Sequence, residues 1–235
     1  MKIQNVIKLI LLLVIVFPVQ NMFAQKASKI ELPATYDFDH IYKLKMTHEK
    51  GDVTFDYYLK EDAMYFGFDT SEMTKDSDTK MFMVMDTELE VTAMFMEMMG
   101  KKIVQKTKLK ASDFDSDDED MSDYTFTEID SKTINGYECE GFVSENDNTK
   151  ITFYITDDVS VSFNQVFGSN VKNLPKGFNA DWMKKYAENG LMMEMTYEDK
   201  KKSKNNITMQ CTSLEKTDFS IDTSKYGSMM SAFGG

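Results

Sequence analysis

Phe38-Asp39-His40-Ile41-Tyr42-Lys43-Leu44-Lys45-Met46 decides the fold class. Its rhythm is two residues: Phe38, His40, Tyr42, Leu44 and Met46 fall on one side of an extended chain, and charged residues fall mostly on the other. A helix repeats every 3.6 residues, so this alternation specifies a half-buried strand. Glu49-Lys50-Gly51-Asp52 follows as a turn, with a glycine free to take positive φ. Val53 to Lys60 then alternates again through Val53, Phe55, Tyr57 and Leu59. Glu61-Asp62 turns the chain into a third strand over residues 63–69. Three strands with short turns make an antiparallel meander.

The same rhythm continues down the chain. Met81-Phe82-Met83-Val84-Met85 is apolar at every position, which predicts a strand covered on both faces. Residues 89–99 alternate through Leu89, Val91, Ala93 and Phe95, and a strand is expected although the methionine-rich end also suits a helix. Residues 101–110 interleave Ile103 with lysines and suggest a more exposed strand. Further strands are expected over 124–130, 137–144 and 151–156, with Asn135-Gly136 as a hairpin turn. Residues 157–189 change character. Phe163, Val166 and Phe167 hint at a short helix, and Asn179 can cap a helix over 180–189 that Gly190 stops. Strand rhythm returns at 191–197 and 207–214, and the tail 216–235 is expected to be irregular. The fold class is therefore mainly β with a few helices (α+β): a strongly curved antiparallel sheet, or half-open barrel, with a helical lid.

Residues 1–24 are expected to be a signal peptide. Lys2 and Lys8 precede the unbroken apolar run from Leu9 to Phe17, Pro18 ends it, and Ala24 supplies a small residue at the cut. The run is too short to span a bilayer comfortably. Residues 25–235 are then read as a single domain, exported to the periplasm or beyond, without a transmembrane segment.

The 235 residues carry 27 basic and 39 acidic side chains, a net charge of −12, and every basic residue is a lysine. That balance argues against nucleic acid as a partner, because phosphate needs a basic surface and arginine is its best bidentate ligand. His40 and His48 are the only histidines, and on one strand they would stand roughly 26 Å apart, too far for one metal. No spacing singles out a nucleophile or an acid–base pair, so no enzyme activity, cofactor or metal is expected. The acidic loop 111–123 opens with Asp113, Asp115, Asp117 and Asp118 like a calcium loop, but Asp118 stands where that loop needs glycine. It reads as solvated. Lys200, Lys201, Lys202 and Lys204 read as a solvated hairpin tip. Cys139 and Cys211 are the only cysteines; a disulfide and two buried free thiols both fit the sequence.

Methionine is the compositional anomaly, at 20 residues. Met81, Met83 and Met85 share a strand face, Met94, Met96 and Met98 form a second row, and Met192, Met193 and Met195 form a third cluster. Thioethers are flexible and polarizable, and they line surfaces that adapt to variable apolar shapes. The expected ligand-lining residues are Met81, Met83, Met85, Phe95 and Met192, with Trp182, Met183 and Tyr186 on the lid helix. The partner expected is a hydrophobic small molecule or lipid. Copper(I) handling by thioethers and a ligand-free envelope scaffold are the alternatives.

Several segments carry a family resemblance: Phe23-Ala24-Gln25, Asn135-Gly136-Tyr137-Glu138-Cys139, Leu174-Pro175-Lys176-Gly177-Phe178 before a tryptophan-bearing segment, and Phe219-Ser220-Ile221. They resemble a group of secreted Bacteroidota proteins known as a domain of unknown function, over most of residues 36–226. That group is similar in turn to the Lol-type periplasmic lipoprotein carriers. The resemblance implies a half-open antiparallel barrel whose concave, helix-lidded face holds acyl chains. Arginines that hold the lid in some carriers have no counterpart here.

Overall fold

The computed structural model describes residues 30–69, 80–109, 123–162 and 190–228. These fall into two compact units, one of residues 30–36, 67–69, 80–109 and 220–228, the other of residues 37–66, 123–162 and 190–219. The chain passes between them inside β4 (Tyr65–Asp69).

The second unit is an antiparallel sheet of seven strands. They are β2 (His40–His48), β3 (Gly51–Leu59), β8 (Thr125–Ile134), β9 (Tyr137–Glu145), β10 (Thr149–Thr156), β11 (Leu191–Asp199) and β12 (Ile207–Lys216). Their order is β3-β2-β12-β11-β10-β9-β8, an open run in which β8 is terminal. The β2–β3 meander forms in the register expected from alternation, with Tyr42 opposite Tyr57 and Leu44 opposite Phe55. Tyr57 meets Tyr42, Phe55 and Phe66 at ring-centroid distances of 6.3, 6.3 and 6.0 Å, an aromatic ladder along the buried face. Asn135 and Gly136 take positive φ (52° and 87°) and close the β8–β9 hairpin in two residues.

The first unit holds β5 (Lys80–Asp86), β6 (Val91–Met98) and β7 (Lys101–Lys108) as an antiparallel set. The strand reading of residues 89–99 is the correct one. The expected lid is not seen: the described residues hold no α-helix, only single 3-10 turns at Ser203–Asn205 and Thr223–Lys225. The helix expected over 180–189 lies outside the described residues, as do the acidic loop 111–122 and the segment 163–179. None of the described helices is long and apolar enough to cross a membrane.

The tail is more ordered than its sequence suggests. β13 (Ser220–Asp222) pairs with β1 (Thr35–Asp37), and β14 (Gly227–Ser228) runs parallel to β7. These strands have two or three residues, too few for an alternation to register. Long-range contacts hold them instead. Thr223 Oγ1 donates to Pro33 O at 2.6 Å, Ile221 is buried, and the Tyr226 ring meets Phe95 edge-on at 5.0 Å.

One glycine is required by space. A Cβ on Gly141 of β9 would stand 2.6 Å from Tyr154 Cε1 and 2.8 Å from the Asp130 carbonyl oxygen. The carbonyl belongs to the β8 bulge between Ile129 and Lys132 and cannot rotate away. Gly141→Ala is expected to destabilise the second unit by about 1–3 kcal/mol, read as a lower urea midpoint at unchanged m-value.

Candidate functional site

The pleat sorts the side chains of the second unit onto two faces. One face carries Lys43, Lys45, Glu194, Thr196 and Glu198; Lys132 Nζ also lies there, 2.7 Å from Glu194 Oε1 and 3.9 Å from the Tyr154 ring centroid. The other face is apolar. Its pairings run Phe142–Phe153–Met195–Met209–Met46–Val53 across β9, β10, β11, β12, β2 and β3. At ~4.8 Å between strands, that row is roughly 24 Å long. Phe142 and Met209 are buried, Phe153, Met195 and Met46 are half-buried, and Val53 is 37% exposed.

Beside the row, Phe126, Phe142 and Phe153 form a triangle of rings at 5.6–6.0 Å, with Ile155 packed against it. Ser144 pairs with Phe126 on one side and Ile151 on the other. Its hydroxyl is buried and has no hydrogen-bond partner. A buried hydroxyl without a partner costs about 1–3 kcal/mol, so this apolar face carries one polar group whose bonding capacity is unused.

The sequence-predicted residues divide. Met81, Met83 and Met85 do share a face of β5, and the register brings Met96 opposite Met81 and Met94 opposite Met83. Phe95 does not join them. It pairs with Phe82 on the other side of the strands, where Tyr36 meets its ring at 6.2 Å and Tyr226 at 5.0 Å. There Tyr36 also donates to the buried Asp86 carboxylate at 2.9 Å. Met83, Met85, Met94 and Met96 are buried and Met81 is half-buried. Met192 lies on β11 of the second unit, half-buried, and its carbonyl accepts from Tyr42 Oη at 2.7 Å. Trp182, Met183 and Tyr186 lie outside the described residues. Sequence reasoning missed Phe126, Phe142, Phe153 and Ser144. The alternation at Phe126 and at Ile151-Thr152-Phe153 was the available signal.

The remaining chemistry-bearing groups are tied down. Cys139 and Cys211 are buried free thiols, and burial pushes both up to about 11, away from a reactive thiolate. Asn135 Nδ2 donates to Cys211 O at 2.7 Å. His40 and His48 stand at the two ends of β2; His40 Nδ1 lies 2.7 Å from Asp39 Oδ1, and His48 Nδ1 accepts from the Lys50 N–H. Lys200 Nζ reaches Glu145 at 2.8 Å. Among the described residues no group of three or more His, Cys, Asp and Glu side chains could hold a metal ion.

A model of one protein family, described as a domain of unknown function (DUF4412), matches residues 38–225. The chain belongs to this family. No curated protein matches it. Among solved structures, PNGF-II is similar at 13% identity and a TM-score of 0.41, covering 82% of this chain and 30% of that one. The chain thus spans about a third of that protein's length. An uncharacterized conserved protein from Thermus thermophilus is similar at 8% identity and 0.38, covering 80% and 83%. A LolA-superfamily protein from Nitrosomonas europaea is similar at 10% identity and 0.27, covering 86% and 94%. At these TM-scores the likenesses assign no function to this chain.

Several described carboxyls are held below their ordinary values, and Asp39, at the start of β2, is one of them. Burial raises the Asp39 carboxyl, but His40, the Glu61 N–H and the Lys60 ammonium, 3.1 Å away, together hold it below the ordinary aspartate value. A depressed folded pKa contributes stability above the unfolded value of about 4, and that contribution is lost as pH falls through the folded value. The urea midpoint is therefore expected to fall below about pH 4 in the natural chain, and to fall less steeply in Asp39→Asn.

Proposed function

We propose that this chain is an exported, non-enzymatic protein that holds an extended hydrophobic ligand of the lipid class against the apolar face of its second unit. The observation that carries this reading is the row Phe142–Phe153–Met195–Met209–Met46–Val53. Four of its six members keep part of their surface outside the packed core. A long apolar chain laid across the strands would cover them, and each CH₂ so buried contributes about 0.8 kcal/mol. The flexible Met46 and Met195 side chains let the face fit chains of different length or branching. The unpartnered Ser144 hydroxyl sits beside Phe126 and Ile151, where a polar group of the ligand would complete its bonding. Export is supported by the apolar run 9–17 and its charged flank.

Native mass spectrometry of gently isolated protein, with titration of a fluorescent fatty acid, tests this. A lipid adduct or saturable binding is expected. Met195→Lys should weaken binding about tenfold or more. Thr196→Lys, the next residue on the opposite face, should leave it within about twofold. An apo mass together with no saturable binding ends the proposal.

The facing pairs Met81–Met96 and Met83–Met94 favour a second reading, copper(I) held by thioethers in the first unit. Anaerobic copper(I) titration against a competing chelator separates the two. Retention of one equivalent that Met83→Leu abolishes supports copper; complete loss to micromolar chelator excludes it.

A further inference from the structure

We propose that the Met99-Gly100 tip of the β6–β7 hairpin docks the protein on an anionic lipid bilayer, with Met99 as an apolar probe and Lys80 and Lys101 as headgroup contacts. Met98 pairs with Lys101, so two residues make the whole turn. Both have positive φ, 51° and 72°. A hairpin turn of this kind favours Asn, Asp or Gly at its first position, because a longer side chain is strained there. The other described non-glycine residues at positive φ, Asp62, Glu90 and Asn135, are all polar, and Asn135-Gly136 is the same two-residue turn. Met99 is the apolar exception.

Its exposure is equally unusual. Met99 is 87% exposed, while the next most exposed large hydrophobic among the described residues, Met64, is 43% exposed. A methionine placed at a strained position and held in water gains nothing for this fold. Its surroundings fit a bilayer surface. Lys80, Lys101 and Lys102 surround it, and a shallow concavity of about 200 Å³ lies among Lys80, Glu97, Met98, Met99, Gly100, Lys101 and Lys102. The acid there, Glu97, is already engaged by Lys102 at 2.7 Å and by Tyr226 Oη at 3.1 Å.

Part of the protein's net charge of −12 lies out of range of this contact. Charges more than about 8 Å away are screened at physiological ionic strength. The acidic turn bearing Asp86, Glu88 and Glu90 is at the other end of β6, roughly 25 Å along the strand. One apolar side chain and a few lysines give weak, reversible, salt-sensitive docking. This inference does not depend on the ligand proposed for the second unit.

Vesicle flotation of the whole protein tests it, with phosphatidylcholine containing 30% phosphatidylglycerol against phosphatidylcholine alone. Binding is expected only to the anionic vesicles and should be lost in 0.5 M salt. Met99→Asn should reduce it about fivefold while leaving the melting temperature equal or higher, because asparagine suits the turn. Lys80→Gln with Lys101→Gln should reduce it similarly. Equal recovery with both vesicle types, or full binding by Met99→Asn, overturns the proposal. A dimer in solution that Met99→Asn dissociates also overturns it, by assigning the tip to a second copy of the chain.

Discussion

Cross-strand register is the constraint on which the second unit depends. Side chains alternate with a period of two, so slipping one strand by a single residue would exchange its entire apolar set with its polar set. The pairings Phe142–Phe153, Phe153–Met195, Met195–Met209, Met209–Met46 and Met46–Val53 hold only while six strands stay in step. Turn chemistry sets part of that step. Asn135-Gly136 closes β8 onto β9 in two residues, and Gly51, at φ 123°, closes β2 onto β3. Bulges absorb the remainder: the register shifts at Ile129/Lys132, Tyr154/Ile155 and Cys211/Ser213 bend strands without flipping the shared row.

The polar groups around this sheet do a different job from its apolar face. Lys132, Glu194 and Tyr154 meet on one side through an ion pair and a cation–π contact, which fixes the β8 bulge against β11. Asn135 then ties the hairpin end to the Cys211 carbonyl. The exposed ion pairs contribute little each. Their value is directional, since a charged face cannot be exchanged for the apolar one without burying charge. The two faces thus enforce the same register from opposite sides.

The strands were legible in the sequence where alternation ran for seven or more residues, as at Phe38–Met46 and Val53–Lys60. They were legible also where a two-residue turn signal stood between them. The tail was not legible, because β13 and β14 are shorter than one cycle of any pattern and exist through Pro33, Ala34, Phe95 and Ile103. The grouping of Phe95 with Met81, Met83 and Met85 failed for a sharper reason. Which residues of β6 face the odd-numbered methionines of β5 depends on how many residues the connecting turn uses. The four-residue turn at 87–90 brings the even-numbered Met94 and Met96 to that face and sends Phe95 to the other. Composition pointed to methionine-lined surfaces, but it could not say that Met46 and Met209, far apart in sequence, would stand side by side.

The choice of methionine is itself informative. Strand interiors favour branched and aromatic side chains, whose restricted rotamers lose little on folding. A methionine in their place gives up side-chain entropy when ordered and specifies its neighbours less sharply. In the first unit this loss is recovered by burial, since Met83, Met85, Met94 and Met96 are all within the core. At Met46 and Met195 it is recovered only in part, because both remain half-buried. A valine or isoleucine there would make a stiffer face. Thioethers at those two positions leave a softer one, whose side chains can repack under more than one apolar shape.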